Sequence, residues 1–333
     1  MNYRLDFIDM AKGFAIMLMV YGHTFSKPQY TSLMIWIYSF HMPLFFLTSG
    51  ILYGIKSKRE LHIGFKWKSK ILTLLFPYFL WNTIYQLFIS VLSILGGKPI
   101  RRTLVSNLLM VFQLQGSAMW FLPVMFLAAF FFLLTVKKKV LNILSAFIFF
   151  IFGIFFTECN IYFDAILKSF IGTVFITLGF YGYKAFIKEV KIYQLVFLFI
   201  ISVFTVRANG MVSIASRDYN HPLLYILNGF LGTLIIYQLI MRLRRIKFIY
   251  NILKCWGENS VKILCFHSFI IEIIRLIDYK ALGNILPQFG MFEGIILTML
   301  VMTILTVLMP VINKFLNWSF GIKNRKREQY YND

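Results

Sequence analysis

Ten runs of predominantly apolar residues, each about as long as a helix must be to cross a bilayer, divide this sequence from end to end. They fall at roughly 7–26, 33–55, 71–95, 118–136, 140–157, 165–183, 192–207, 222–241, 259–277 and 291–313. A hydrocarbon core of ~30 Å takes some 20 residues of helix at about 1.5 Å per residue. Lipid offers the backbone no hydrogen-bonding partner, so each run is predicted to be helical throughout. The composition agrees, with 59% hydrophobic and only 14% charged residues. The expected fold class is all-α: a polytopic membrane helix bundle with about ten transmembrane helices.

The net charge of +21 would suit nucleic acid if it were gathered on one surface. Instead the basic residues fall in short clusters between the apolar runs, at Lys56–Lys70, Lys137–Lys139, Lys184–Lys191, Arg242–Lys254 and Lys314–Arg327. With the N-terminus in the cytoplasm, all of these lie on the cytoplasmic side, where 24 of the 34 lysines and arginines fall, against nine outside or at outer helix ends. This asymmetry predicts both termini inside, a multi-pass protein of the cell (cytoplasmic) membrane, and contact with anionic membrane lipid; it excludes nucleic acid as a partner. The first run contains Asp9 and Lys12 and is followed by no small-residue cleavage site, so it reads as retained. Cys159, Cys255 and Cys265 have neither disulfide-framework nor metal-ligand spacing, and no metal is expected. With no repeat and no long linker, residues 1–322 read as a single membrane domain and 323–333 as a basic cytoplasmic tail. A short interfacial helix is expected between Gly96 and Leu114.

Polar residues inside the runs point to chemistry. In the first run Asp9, Lys12, Ile16, Val20 and His23 follow helical spacing along one stripe, which must face protein or water. Asp9 and His23 then lie about 21 Å apart along the axis. His23, preceded by Gly22, suits a general base because an ordinary imidazole titrates near neutrality. His41 lies deep in the second run beside Pro43 and must be paired; it reads equally well as a structural histidine at a proline kink. Gly50 and Gly54 form a GxxxG pair, a sign of close helix packing. Lys66, Lys68 and Lys70, before the third run, read either as a lipid anchor or as a landing site for a phosphorylated ligand. The ninth run carries Asn259, Ser260, Lys262 and His267 and is too polar to face lipid. Glu258 with Lys262, and Glu272 with Arg275, have the spacing of helical ion pairs.

Taken together, Asp9-Met-Ala-Lys12-Gly13 with Gly22-His23, Phe40-His41-Met42-Pro43-Leu44-Phe45-Phe46 with Ser49-Gly50, Pro77-Tyr78 with Trp81, Met119-Trp120-Phe121-Leu122, and Gly257-Glu258-Asn259-Ser260 with His267 resemble the acyltransferase 3 family of integral membrane acyltransferases. Within it they look closest to the fucose 4-O-acetylase-like branch. The resemblance implies a roughly ten-helix bacterial enzyme of the cell envelope. Such an enzyme moves an acyl group, usually acetyl, from cytosolic acyl-CoA to a hydroxyl of a carbohydrate, such as a cell-surface polysaccharide or its lipid-linked precursor. His23 matches the family's catalytic histidine. The cytoplasmic arginines that the family often carries are replaced here by Lys66, Lys68 and Lys70, and lysine offers a point charge in place of a two-pronged fork.

These readings assign His23, His41 and Asp9 to catalysis, and Lys12, Lys66, Lys68, Lys70, Trp120, Asn259, Ser260 and His267 to holding acetyl-CoA or another acyl-CoA. His41, Trp120 and Asn259 are the candidate donors to a tetrahedral oxyanion. Two rival classes fit the intramembrane polar residues as well. A proton-coupled transporter or flippase for an envelope precursor would form no bond, and a silent sensor would bind acyl-CoA without turnover.

Overall fold

In a computed structural model of the chain, residues 3–25, 31–58, 66–156, 163–281, 283, 285, 286 and 291–321 are described. Among them there are twelve helices and no strand. In chain order they are α1 (Tyr3–His23), α2 (Ser32–Lys58), α3 (Trp67–Leu95), α4 (Ile100–Phe112), α5 (Ala118–Thr135), α6 (Lys139–Phe155), α7 (Asp164–Ile187), α8 (Ile192–Asn209), α9 (Pro222–Leu243), α10 (Lys247–Glu258), α11 (Ser260–Ala281) and α12 (Met291–Phe315). Seven are long and apolar enough to cross a membrane: α2, α3, α5, α7, α8, α9 and α12. The three other expected runs are helical too. Of these α6 is shorter, and α1 and α11 carry ionisable residues. The chain is an all-α, multi-pass membrane protein.

Helix α2 occupies the middle, packed on α1, α7 and α9. Lipid tails are as apolar as leucine, so close packing must hold such helices together. Small residues provide it: a Cβ on Gly50 would lie 2.0 Å from the carbonyl oxygen of Ile176, and one on Gly179 would lie 2.3 Å from that of Leu47. Helices α2 and α7 therefore touch backbone to backbone, as the GxxxG spacing implies. Helices α3 and α8 instead keep most of their apolar surface outward, as lipid-facing helices do.

Some boundaries differ from expectation. Helix α1 begins earlier than residue 7 and ends at His23, which makes that histidine its last residue. The stretch 247–258, expected to be a basic connection, is the amphipathic helix α10, which lies against α1. Gly13 and Gly257 make this contact possible, since a Cβ on Gly257 would lie 1.7 Å from the carbonyl oxygen of Asp9. Near the start of α1, Asp6 pairs with Lys254 of α10 at 2.8 Å and accepts from the Tyr250 hydroxyl at 2.5 Å. The short helix expected between Gly96 and Leu114 is α4.

The ninth run also begins with a break. Helix α10 ends at Glu258 and α11 starts at Ser260, so the helical spacing between Glu258 and Lys262 does not exist and that ion pair does not form. Lys262 turns instead to three amide oxygens: that of Asn259 at 3.2 Å, that of Asn317 at 2.7 Å and that of Asn313. Glu272 and Arg275 do not pair either. An Arg275 Nη donates to the carbonyl of Thr24 at 3.1 Å, which ties α11 to the residue following α1.

Candidate functional site

Helices α1, α2 and α11, together with α3, α5 and the connection before α9, enclose a cavity of about 360 Å³. On α1 the lining residues are Lys12, Ile16, Met19 and His23, spaced four, three and four apart. This differs slightly from the stripe expected from sequence. Met19 takes the place of Val20, which is fully buried, and Asp9 lies outside the cavity.

Successive spans alternate in direction, and this gives the cavity two unlike ends. Lys12 stands one turn beyond Asp9, Lys70 lies at the start of α3, and Ser260 opens α11; these line the end where the basic segments gather. Eleven residues of helix, about 16 Å, separate Lys12 from His23. Trp120, at the start of α5, and Ser213, Ile214 and Ala215, in the connection after α8, line the far end.

The basic end gathers more cations than carboxylates among the described residues. Asp9 accepts from Lys12 at 3.1 Å. Lys56 feels the charges of Lys70, Lys66 and Lys12, and none of Lys56, Lys66, Lys68 and Lys70 pairs with a carboxylate among the described residues. A π-helical turn at Ile71–Leu75 follows Lys70, and its residue Leu74 also lines the cavity. Lys66 and Lys68 are exposed and do not line it.

The three intramembrane histidines are held differently. His41 Nδ1 lies 3.0 Å from the carbonyl oxygen of Ile37, one turn earlier on α2. A carbonyl only accepts, so Nδ1 carries the proton and Nε2 of the neutral ring is an acceptor. The partner that His41 requires is thus found on its own helix. Tyr38, its ring tilted against that of His41 with centroids 4.9 Å apart, donates its hydroxyl to the Gly22 carbonyl at 3.1 Å and so locks the end of α1 to α2.

His267 is fully buried and does not line the cavity. Its Nδ1 serves the carbonyls of Ile263 and Leu264 at 3.1 and 2.9 Å, and its Nε2 meets the Ser268 hydroxyl at 3.2 Å. Its ring stands 5.4 Å from that of His23. His23 itself is exposed to the cavity, and no described group hydrogen-bonds its ring.

Of the candidate residues, then, Lys12, His23, His41, Lys70, Trp120 and Ser260 line one cavity, while Asp9, Lys66, Lys68, Asn259 and His267 stand outside it. Asn259 is occupied elsewhere, donating to the Cys255 carbonyl at 2.9 Å and accepting from Lys262. Sequence reading missed Tyr38, Ser213 and a far-end cluster of Asp164, Lys168 and Arg217. The i, i+4 spacing of Asp164 and Lys168 at the start of a span was the available signal.

Among the described residues, no cluster of histidine, cysteine and carboxylate side chains could hold a metal ion. Comparison with protein families gives one match, to a family model described as an acyltransferase domain, over residues 5–312. Comparisons with curated proteins and with solved structures each give no match.

Proposed function

Because the chain belongs to the acyltransferase 3 family and is a membrane acyltransferase, we propose that it moves an acetyl group from cytosolic acetyl-CoA to a hydroxyl of a cell-surface polysaccharide or its lipid-linked precursor. The observation that carries this reading is the polarity of the cavity: Lys12 and Lys70 line one end, and near the other stands an imidazole to which no described group is hydrogen-bonded. CoA is a polyanion on a long, thin arm. Its phosphates fit against Lys12, Lys56 and Lys70, with Lys66 and Lys68 adding field from outside, and the arm reaches inward past Ile16 and Met19.

At the far end His23 accepts the proton of the incoming hydroxyl as that oxygen attacks the thioester carbonyl carbon. The carbon–sulfur bond then breaks, and the departing thiolate recovers the proton from His23. The oxyanion formed between these steps needs a donor. Neutral His41 offers its proton to Ile37 and Asn259 faces elsewhere, which leaves the indole N–H of Trp120, unengaged by any described group. His41 Nε2, an acceptor, is suited to orienting the substrate hydroxyl. Asp9 acts by fixing Lys12, and His267 by backing His23.

The test is acyl-CoA turnover by the full-length protein in nanodiscs, with mass spectrometry of surface glycans from cells expressing it. Wild-type protein is expected to release CoA and to make glycans heavier by one acetyl group. A His23→Ala protein that is folded, binds acetyl-CoA and still acetylates at the wild-type rate would overturn the mechanism.

A further inference from the structure

One carboxylate, its side chain 14% exposed, ties together both walls of the cavity's far end, and the mechanism above makes no use of it. Asp164, the first residue of α7, receives the Lys168 ammonium at 2.5 Å, the Arg217 Nε at 2.9 Å and the Gln115 amide at 3.3 Å. Lys168 is itself 4% exposed, and its ammonium lies 5.0 Å from the centre of the Trp120 ring. Through this cation the carboxylate reaches one cavity wall.

Arg217 leads to the other wall. Its backbone is left-handed, with φ of 58°, and it closes a turn bracketed by a bridge between Ser213 and Asp218. Besides binding Asp164, it donates to the Phe156 carbonyl at 2.6 Å. Ser213, Ile214 and Ala215, the residues just before it, face the cavity. Asn220 closes the base of the connection after α8 by donating to the carbonyls of Asn209 and Met211, and Arg217 fastens its tip to Asp164 over the far end.

The chemistry of these walls restricts what can sit between them. Among the described residues they present an indole, a serine, an alanine and an isoleucine, and no ionised side chain. A neutral, hydroxyl-bearing ring with an apolar C–H face matches that lining, and an anion or a cation does not. We infer that the far end of the cavity, between Trp120 and Ser213–Ala215, is the subsite for the sugar ring of the acceptor, with Asp164 as the positioning residue that sets both walls through Lys168 and Arg217. This inference rests on the acyl-transfer reading proposed above.

The experiment uses full-length protein in nanodiscs, with a panel of methyl glycosides of neutral sugars as acceptor probes, and measures acetyl-CoA binding separately by calorimetry. Removing one partner from a buried ion cluster can unfold it, so two kinds of variant are needed. Arg217→Ala loosens one wall and Arg217→Lys restores part of its charge contact. Ala215→Phe narrows the subsite without touching the cluster.

The expected result is a tenfold or larger rise in KM for the best glycoside in Arg217→Ala and Ala215→Phe, partial recovery in Arg217→Lys, and an acetyl-CoA affinity within twofold of wild type in all three. An unchanged glycoside KM in folded Ala215→Phe, or losses that follow thermal stability alone, would overturn the inference while leaving acyl transfer intact. If the wild-type protein neither binds nor turns over acetyl-CoA, the acyl-transfer reading fails and this one fails with it.

Discussion

The rings of His23 and His267 stand 5.4 Å apart, one closing α1 and the other midway along α11, and among the described residues only the buried one finds hydrogen-bond partners. Two nitrogens of His267 are committed to carbonyls and a serine, so it cannot move a substrate proton without breaking its own helix contacts. His23, open to the cavity, can. General-base catalysis contributes about 10²–10⁴-fold, so His23→Ala is expected to lose at least ~10² in kcat while keeping its acetyl-CoA affinity. His267→Phe, which keeps a ring at that place, should retain far more activity. Parallel calorimetry and CoA-release assays on the two variants check this.

Trp120→Phe keeps the aromatic wall and deletes one N–H. If that N–H stabilises the oxyanion, kcat falls about 10²-fold with little change in KM for the donor. Steady-state kinetics at saturating acetyl-CoA distinguish this from simple loss of packing, which would lower thermal stability as well.

Lys70 lines the cavity, whereas Lys66 and Lys68 stand outside it. Lys70→Ala should therefore weaken acetyl-CoA binding by roughly 1 kcal/mol, about fivefold, and reduce its dependence on salt. The same change at Lys68 should do less. Titrations at two ionic strengths give both numbers.

A Cβ on Gly50 has no room beside the Ile176 carbonyl at 2.0 Å, and the obstacle is backbone. Gly50→Leu must push α7 off α2 and is expected to cost about 1–3 kcal/mol or to prevent folding. A thermal unfolding scan of the purified protein in detergent would register it as a lowered midpoint.

At the basic face, burial alone would raise the Asp6 carboxyl, but hydrogen bonds from Lys254 and Tyr250 and the Lys254 charge outweigh it and hold the group below its ordinary value. The hydrogen bond to Asp6 holds the Lys254 ammonium above its ordinary value. A depressed carboxylate gives its full contribution above its unfolded pKa and loses it as pH falls through the folded one. A raised amine gives its contribution below its unfolded pKa and loses it as pH rises through the folded one. The α1–α10 contact should thus hold steady between about pH 5 and pH 9 and loosen only in strong acid or strong base. Hydrogen exchange of residues 3–10 across that range, with Asp6→Asn as control, tests the window.

The helices were legible because lipid leaves the backbone so few choices, and apolar runs of spanning length map onto α1–α3, α5–α9, α11 and α12 with ends a few residues adrift. The convergence of α1, α2 and α11 was legible too, since Lys12, His23, His41 and Ser260 could not face lipid. Helix α10 was hidden because a short amphipathic helix carrying Lys247 and Lys254 reads as one more basic connection. The supposed partnership of Glu258 with Lys262 failed because nothing in the local sequence announces the break at Asn259. The Asp164 cluster could not be assembled from sequence, since Arg217 lies 53 residues from its carboxylate and only the folded chain brings them together.

The far end of the cavity is closed by a connection between helices, while the lysine end is built into helices and their first turns. That difference bears on how such a chain can diversify. Lengthening or rewriting the turn at Ser213–Arg217 leaves every span in register, so a lineage can try new acceptors by loop exchange and keep the same donor. Changes at Lys12, Lys70 or Ser260 shift a helix that other helices pack against. Descendants of this scaffold should differ most where the chain is cheapest to vary.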